Sequence, residues 1–184
     1  MREVKLLRGI VCIMGFLGLG MLFGCEKKPE PASTVTYEGS LYSFSYKPGY
    51  SDMDGAYHSE RLKKNEDGSW IIESDDREEI GEPTVVTTYA VDAVAVFEFE
   101  AFLKEKKVLT LENRKDSDDF VTDYSSWSIS FRFVHEENGE KKYEDHRIEQ
   151  YKKYYDADYK IINEIREKFS ALHGEVLSQI EERD

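Results

Sequence analysis

Cysteine is nearly absent from this chain, with only 2 among 184 residues. Two cysteines supply neither a disulfide framework nor a cysteine-rich zinc site, so small disulfide-rich domains and cysteine-rich zinc domains are both excluded. Proline is scarce and glycine unexceptional, at 4 and 12 residues, whereas the chain holds 12 Tyr, 10 Phe and 2 Trp. This balance argues against a disordered or collagen-like chain and indicates a folded domain.

Positive charge is the second shortage. The chain has 25 Lys and Arg against 38 Asp and Glu, which gives a formal net charge of −13 at pH 7. Because phosphate backbones are bound by basic surfaces, this balance argues against nucleic acid as a partner. A length of 184 residues suits one domain of ordinary size.

Long hydrophobic runs are limited to the amino end. Residues 9–23 carry no charge and follow three basic residues, Arg2, Lys5 and Arg8. A membrane-spanning helix needs about 20 apolar residues, so this run is short for a permanent span. A basic stretch followed by a short apolar stretch is typical of a secretory signal.

The apolar run ends in Leu22-Phe23-Gly24-Cys25. This segment resembles the lipobox of bacterial lipoproteins, with an aliphatic residue at −3, a small residue at −1 and then the cysteine. Phe23 departs from the small or aliphatic residue usual at −2. The resemblance implies a diacylglyceryl group on the thiol of Cys25 and cleavage before it. We therefore expect a signal peptide over 1–24 and a protein that is lipid-anchored to the cell membrane and faces outside the cytoplasm.

Removal of residues 1–24 would take away three basic residues, one acid and Cys12. The mature chain would then hold 22 basic and 37 acidic residues, a net charge of −15, and no second cysteine for a disulfide. Anionic headgroups repel such a domain, so the acyl chains on Cys25 must supply its membrane affinity. Residues 25–36, with Pro29 and Pro31, are expected to form the lipidated cysteine and an extended tether.

Residues 37–184 are expected to form a single α+β domain. Its pattern predicts one antiparallel sheet built from hairpins, with two helices packed on one face. Alternating apolar residues and turn signals predict strands at 37–47, 56–64, 69–74, 84–91, 108–111, 127–135 and 141–149. Apolar residues at gaps of 3 or 4 predict helices at 93–107, capped by Asp92, and at 157–182, with a soft point at Gly174.

Asn138-Gly139 predicts a tight hairpin between the last two of these strands. A two-residue loop places Arg132 opposite Asp145, and a three-residue loop places it opposite Glu144. Either acid would pair with the guanidinium, so the sequence leaves the register open.

Motifs for catalysis are missing. The chain contains no G-x-S-x-G elbow, phosphate-binding loop, G-x-G-x-x-G or H-E-x-x-H, and we expect neither enzyme activity nor a cofactor. His135 and His146 lie on opposite arms of the predicted hairpin and are expected to be solvated rather than metal ligands. The acidic stretches 52–55 and 116–119 do not fit the EF-hand pattern and are expected to cap local backbone, so no metal site is predicted.

Tyrosine is the unusual component of the predicted domain. Tyr42, Tyr46, Tyr50 and Tyr57 cluster on the first predicted hairpin and its loop, and we take them as a candidate binding surface. A second group, at 151, 154, 155 and 159, precedes the last predicted helix. Packing within the sheet and helices is the competing interpretation for both groups.

The resulting hypothesis is a lipid-anchored, non-catalytic binding or interaction module that contacts an envelope protein or a small ligand. The alternative is a small-ligand or cation-binding accessory lipoprotein of a transport system, which would need a concave pocket with converging polar groups. An enzyme is the third possibility and would need a cleft that holds a titratable pair at bonding distance.

Overall fold

The computed structural model describes residues 39–49, 56–111, 115–116, 127–149, 152–154 and 156–182. Its main strands are β1 (Ser40–Lys47), β2 (Tyr57–Lys64), β3 (Trp70–Arg77), β4 (Thr84–Val91), β6 (Ser128–Glu137), β7 (Glu140–Glu149) and β9 (Val176–Glu182). Two short strands, β5 (Lys115–Asp116) and β8 (Lys152–Lys153), pair with each other. The helices are α1 (Ala93–Glu105) and α2 (Asp156–Ser170).

The seven main strands form one antiparallel sheet in the order β7-β6-β1-β2-β3-β4-β9. Both helices pack against the sheet face that carries Phe44, and this face is called the inner face. The α+β prediction, with one antiparallel sheet and two helices, is therefore confirmed. Within the described residues, neither helix is long and apolar enough to cross a bilayer.

Phe44 on β1 lies at the centre of the core. Its ring centroid is 5.1 Å from that of Phe99 on α1, 4.4 Å from that of Phe169 on α2 and 6.4 Å from that of Phe131 on β6. Aromatic rings of this size bury the most apolar area per residue, so they dominate the packing of helices on the sheet. Leu62, Ile72 and Ile148 extend this core along β2, β3 and β7.

Helix α1 begins where the sequence predicts. The carboxylate of Asp92 accepts a hydrogen bond from the backbone N–H of Val94 at 3.0 Å, which caps the helix. The strand predicted at 108–111 is wrong, because Val108–Thr110 forms a single 3-10 turn after Lys107, whose φ is +51°. The left-handed backbone of Lys107 turns the chain out of α1, and the 3-10 turn takes the place of the predicted strand.

The hairpin of β6 and β7 closes with a two-residue loop. Asn138 and Gly139 have φ of +54° and +80°, as a tight hairpin turn requires. Arg132 therefore lies opposite Asp145, which settles the register that the sequence left open.

One predicted boundary is wrong within this sheet, and one predicted strand is irregular. Strand β3 continues through the acidic residues to Arg77, because its neighbours β2 and β4 pair with it over that length. Strand β1 has a bulge between Leu41 and Ser43, so Leu41 is buried and Tyr42 is 46% exposed. The alternation that predicts a strand at 37–47 would place Tyr42 on one face with Phe44 and Tyr46; this is wrong, because the bulge places Tyr42 on the other face.

The single helix predicted over 157–182 is also wrong. Helix α2 ends at Ser170, and Val176–Glu182 forms β9 at the sheet edge. Between them, the N–H of Gly174 donates to the carbonyl of Ala90 at 3.0 Å, and the N–H of Ala90 donates to the carbonyl of Glu175 at 2.9 Å. This exchange of hydrogen bonds with β4 replaces the helical bonds that the apolar spacing suggested.

Candidate functional site

The outer face of the sheet carries a polar concavity over β1, β6 and β7. Two rows of three residues cross these strands. One row is Ser43, Arg132 and Asp145, and the next is Ser45, Ser130 and Arg147. The serines form a low floor between the longer side chains, and the space above it measures about 430 Å³. These six residues are called the outer groove: Ser43, Ser45, Ser130, Arg132, Asp145 and Arg147.

An ion pair fixes one wall of the outer groove. Arg132 donates to Asp145 through Nε at 2.5 Å and through a terminal nitrogen at 3.0 Å. The hydrogen bond from Arg132 lowers the pKa of Asp145, and the carboxylate raises the pKa of Arg132. Two parallel bonds orient the planar guanidinium, whereas Arg147 is held by one contact of 3.2 Å to Glu149.

Two exposed tyrosines lie at one end of the outer groove. The rings of Tyr42 and Tyr143 meet edge to face with their centroids 5.2 Å apart, and the side chains are 46% and 47% exposed. The guanidinium of Arg132 lies 5.5 Å from the ring centroid of Tyr143. The bulge in β1 brings Tyr42 to this position. The outer groove and the two tyrosines beside it therefore place hydroxyl groups, an oriented ion pair and exposed aromatic rings on one surface.

The three described members of the predicted tyrosine surface, Tyr42, Tyr46 and Tyr57, do not lie together. Tyr46 lies on the inner face, with its ring edge-on to Phe169. Tyr57 lies on the outer face, where its hydroxyl donates to Thr84 at 3.2 Å. Glu60 is opposite Tyr46, so Tyr57 and Tyr42 lie near opposite ends of the sheet, roughly 20 Å apart at 3.3 Å per residue.

Several other predicted positions bear on the site. Cys25, Tyr50 and the acidic stretch 52–55 lie outside the described residues, as do the side chains of the stretch 116–119. Tyr154 is buried, and its ring is edge-on to that of Tyr159 at 5.8 Å, which is a packing role.

The two hairpin histidines do not meet. His135 is opposite Lys142 and His146 is opposite Phe131, a separation of four positions or about 13 Å. Among the described residues, no three or more His, Cys, Asp or Glu side chains form a group that could hold a metal ion.

A second polar cluster lies on the inner face, and sequence reasoning missed it. It comprises His58 and Glu60 on β2, Asp76 on β3 and His173 in the α2–β9 connection, and is called the imidazole cluster. His58 contacts the carboxylate of Asp76 through Nδ1 and that of Glu60 through Nε2 at 3.4 Å. His173 contacts Glu60 through Nε2 at 2.9 Å, so one carboxylate joins two imidazoles.

The imidazole cluster favours charge on all of its rings and on Glu60. The hydrogen bond to Glu60, opposed by burial and reinforced by Asp76, raises the pKa of His58 to about 9. Burial alone would raise the pKa of Glu60, but hydrogen bonds from His173 and His58 lower it to about 2. Since both nitrogens of His58 face carboxylates, both are donors and the ring is an imidazolium rather than a free base.

Only part of this cluster has a signal in the sequence. The spacing of His58 and Glu60 places both side chains on one face of a strand. Asp76 joins them through the register of β2 and β3, and His173 joins them only because the chain leaves the helix before it.

Comparison of the chain with protein-family models, curated proteins and solved structures finds no match.

Proposed function

We propose that this chain is a lipid-anchored, extracytoplasmic binding module that recognises a partner through the outer groove. The observation that carries the proposal is the two-sidedness of the sheet. The helices cover its inner face, while the outer face presents an oriented Arg132–Asp145 pair beside the exposed rings of Tyr42 and Tyr143. Aromatic and arginine side chains of this kind are the common anchors of binding surfaces.

Binding is tested with the tagged full chain, solubilised in detergent and used to capture proteins from an envelope extract. Loss of capture is expected for Tyr143→Ala, beside the groove, and for Arg132→Ala, within it, because each removes one anchor of the proposed binding surface. Tyr159→Ala is the matched control, since it removes a 40% exposed tyrosine from α2 instead. A partner that both groove variants still capture at the wild-type level would contradict recognition through this surface.

A small ligand is the second candidate occupant. The space of about 430 Å³ falls within the usual range of about 300–1,000 Å³ for small-ligand pockets, and charged and hydroxyl groups line it. Thermal-shift screening of the wild-type protein with glycans and with calcium distinguishes this case. A shift that Arg132→Ala removes and Tyr159→Ala retains would favour a ligand-binding lipoprotein over a protein-binding one.

The anchor rests on the lipobox resemblance at residues 22–25 and has its own test. Cys25→Ser removes the thiol that would carry the lipid, so we expect the protein to move from the membrane fraction to the soluble fraction. Retention of the Cys25→Ser protein in the membrane would mean that residues 9–23 hold it there without a lipid. The groove variants do not alter this segment and should remain with the membrane.

A further inference from the structure

Strand β9 is held on the sheet with almost no buried side chain. All seven of its residues are exposed, including Val176, Leu177 and Ile180 at 54–58%. Exposed side chains contribute little hydrophobic free energy, so the strand depends on its backbone ladder with β4 and on how its first residue is fixed.

The first residue of β9 is fixed by the α2–β9 connection, residues 171–175. Leu172 is part of the core, and Gly174 and Glu175 exchange backbone hydrogen bonds with Ala90. Between them, the ring of His173 donates through Nδ1 to the carbonyl of Ser170 at 2.9 Å. Its Nε2 donates to Glu60 on β2, which ties the connection to the middle of the sheet.

Groups from each neighbouring element face the ring of His173. Glu60 on β2 supplies its negative charge, and Tyr89 on β4 lies edge-on at 4.8 Å between ring centroids. Phe169 on α2 lies edge-on at 6.0 Å. The positive charge of His58, also on β2, opposes the charge on His173. Asp76 on β3 contacts His58 and accepts a hydrogen bond from Ser74 on the same strand.

We propose that the imidazole cluster is a charge-dependent latch that seats β9 against β4 and releases it at alkaline pH while the core stays folded. Glu60 binds both rings most strongly when they are charged, because a neutral imidazole gives a weaker hydrogen bond than an imidazolium. The pKa of His58 is about 9 in the folded protein against 6.5 for an isolated ring. The same contact with Glu60 raises the pKa of His173, the ring that holds the connection. The latch is therefore fully engaged between about pH 4.5 and 6.5 and weakens at alkaline pH as the two rings lose their charge.

Hydrogen exchange of the detergent-solubilised full chain tests the latch. His173→Gln and Glu60→Gln each remove one charge while keeping a hydrogen-bonding side chain. At pH 7 we expect the amides of residues 176–182 to exchange at least about tenfold faster in both variants, the factor that one pKa unit represents. The amides of α1 should keep their wild-type protection, since the latch does not touch that helix.

Glu73→Gln is the matched control, because it removes the Lys63–Glu73 ion pair from the outer face of the same two strands. It should leave exchange of β9 unchanged. In the Glu60→Gln/His173→Gln double variant the effects should be less than additive, since both substitutions remove the contact between His173 and Glu60. If His173→Gln disturbs the fold through its lost ring contacts, Glu60→Gln alone carries the test. Wild-type protection of β9 in Glu60→Gln, or strictly additive effects, would overturn the latch.

Discussion

The bulge at Tyr42 in β1 decides whether this ring lies on the inner or the outer face of the sheet. Without the bulge, Tyr42 would share the inner face with Phe44 and Tyr46 and would face the helices. With it, Leu41 fills the core position, and Tyr42 contacts Tyr143 beside the outer groove. A deletion that repaired the bulge would therefore alter the groove and the core together.

Gly174 is the residue at which the connection passes closest to the sheet. A Cβ atom built there would lie 2.5 Å from the carbonyl oxygen of Ala90, a backbone atom that its hydrogen bond holds in place. We expect Gly174→Ala to lower the free energy of unfolding by about 1–3 kcal/mol, as overpacking does elsewhere. Guanidinium denaturation of the purified protein measures this loss.

Gly139→Asn is the control for that measurement. Gly139 has φ of +80°, but a Cβ there meets no atom within 4 Å, and asparagine tolerates the left-handed region. Its cost should stay below about 1 kcal/mol. An equal cost for both substitutions would contradict the contact with Ala90 as the cause of the effect at 174.

At the scale of elements, helix α1 has one face in the core and one in solvent. Phe99 is 2% exposed and contacts Phe44 and Phe169, whereas Phe97 is 70% exposed. We expect Phe99→Ala to cost about 3–5 kcal/mol of unfolding free energy and Phe97→Ala to change it by no more than about 0.5 kcal/mol. Thermal unfolding followed by circular dichroism compares them. Similar losses for the two variants would contradict the packing of α1 described above.

The elements differ in how far the sequence predicts them. The β6–β7 hairpin and the start of α1 follow from local signals, the Asn138-Gly139 turn and the Asp92 cap, and both are confirmed. The last helix is not predicted correctly beyond Ser170, because apolar residues at gaps of 3 or 4 fit either a helix or an irregular exposed strand. Beyond the end of α2 at Ser170, the chain follows β4 because Gly174 bonds to Ala90, a partner that lies far away in the chain.

The candidate site was harder to predict for the same reason. The alternation of side chains along a strand does not reveal a bulge. The sequence therefore does not predict that Tyr42 contacts Tyr143 on β7 rather than a tyrosine of its own hairpin. The imidazole cluster requires the β2–β3 register and the position of His173, and both depend on tertiary contacts rather than on local propensity.

At the scale of the whole molecule, the imidazole cluster shapes the dependence of stability on pH. The folded pKa of His58 is raised to about 9, so its contribution is complete below pH 6.5 and is lost as the pH rises through 9. The folded pKa of Glu60 is lowered to about 2, so its contribution is complete above pH 4.5 and is lost as the pH falls through 2. Both contributions are therefore complete only between about pH 4.5 and 6.5.

We expect the free energy of unfolding to fall by about 1–3 kcal/mol between pH 6.5 and 9. Urea denaturation at several pH values measures this slope. His58→Gln should reduce the alkaline slope, while His135→Gln, which changes a histidine outside the cluster, should not. A slope that His58→Gln leaves unchanged would assign the alkaline loss to other groups.

The order of the sheet also has a kinetic consequence. Strands β1, β2 and β3 each pair with the next strand in the chain, but β1 pairs on its other side with β6, where Phe44 meets Phe131 about 90 residues later. Closing so long a loop is slow, so we expect the β1–β4 meander to form first and the β6–β7 hairpin to dock onto it later. The two tryptophans report on the two parts, Trp70 in β3 and Trp127 beside β6. In stopped-flow refolding, Trp127→Phe should show a faster fluorescence change than Trp70→Phe, and identical rates would mean that the sheet assembles in one step.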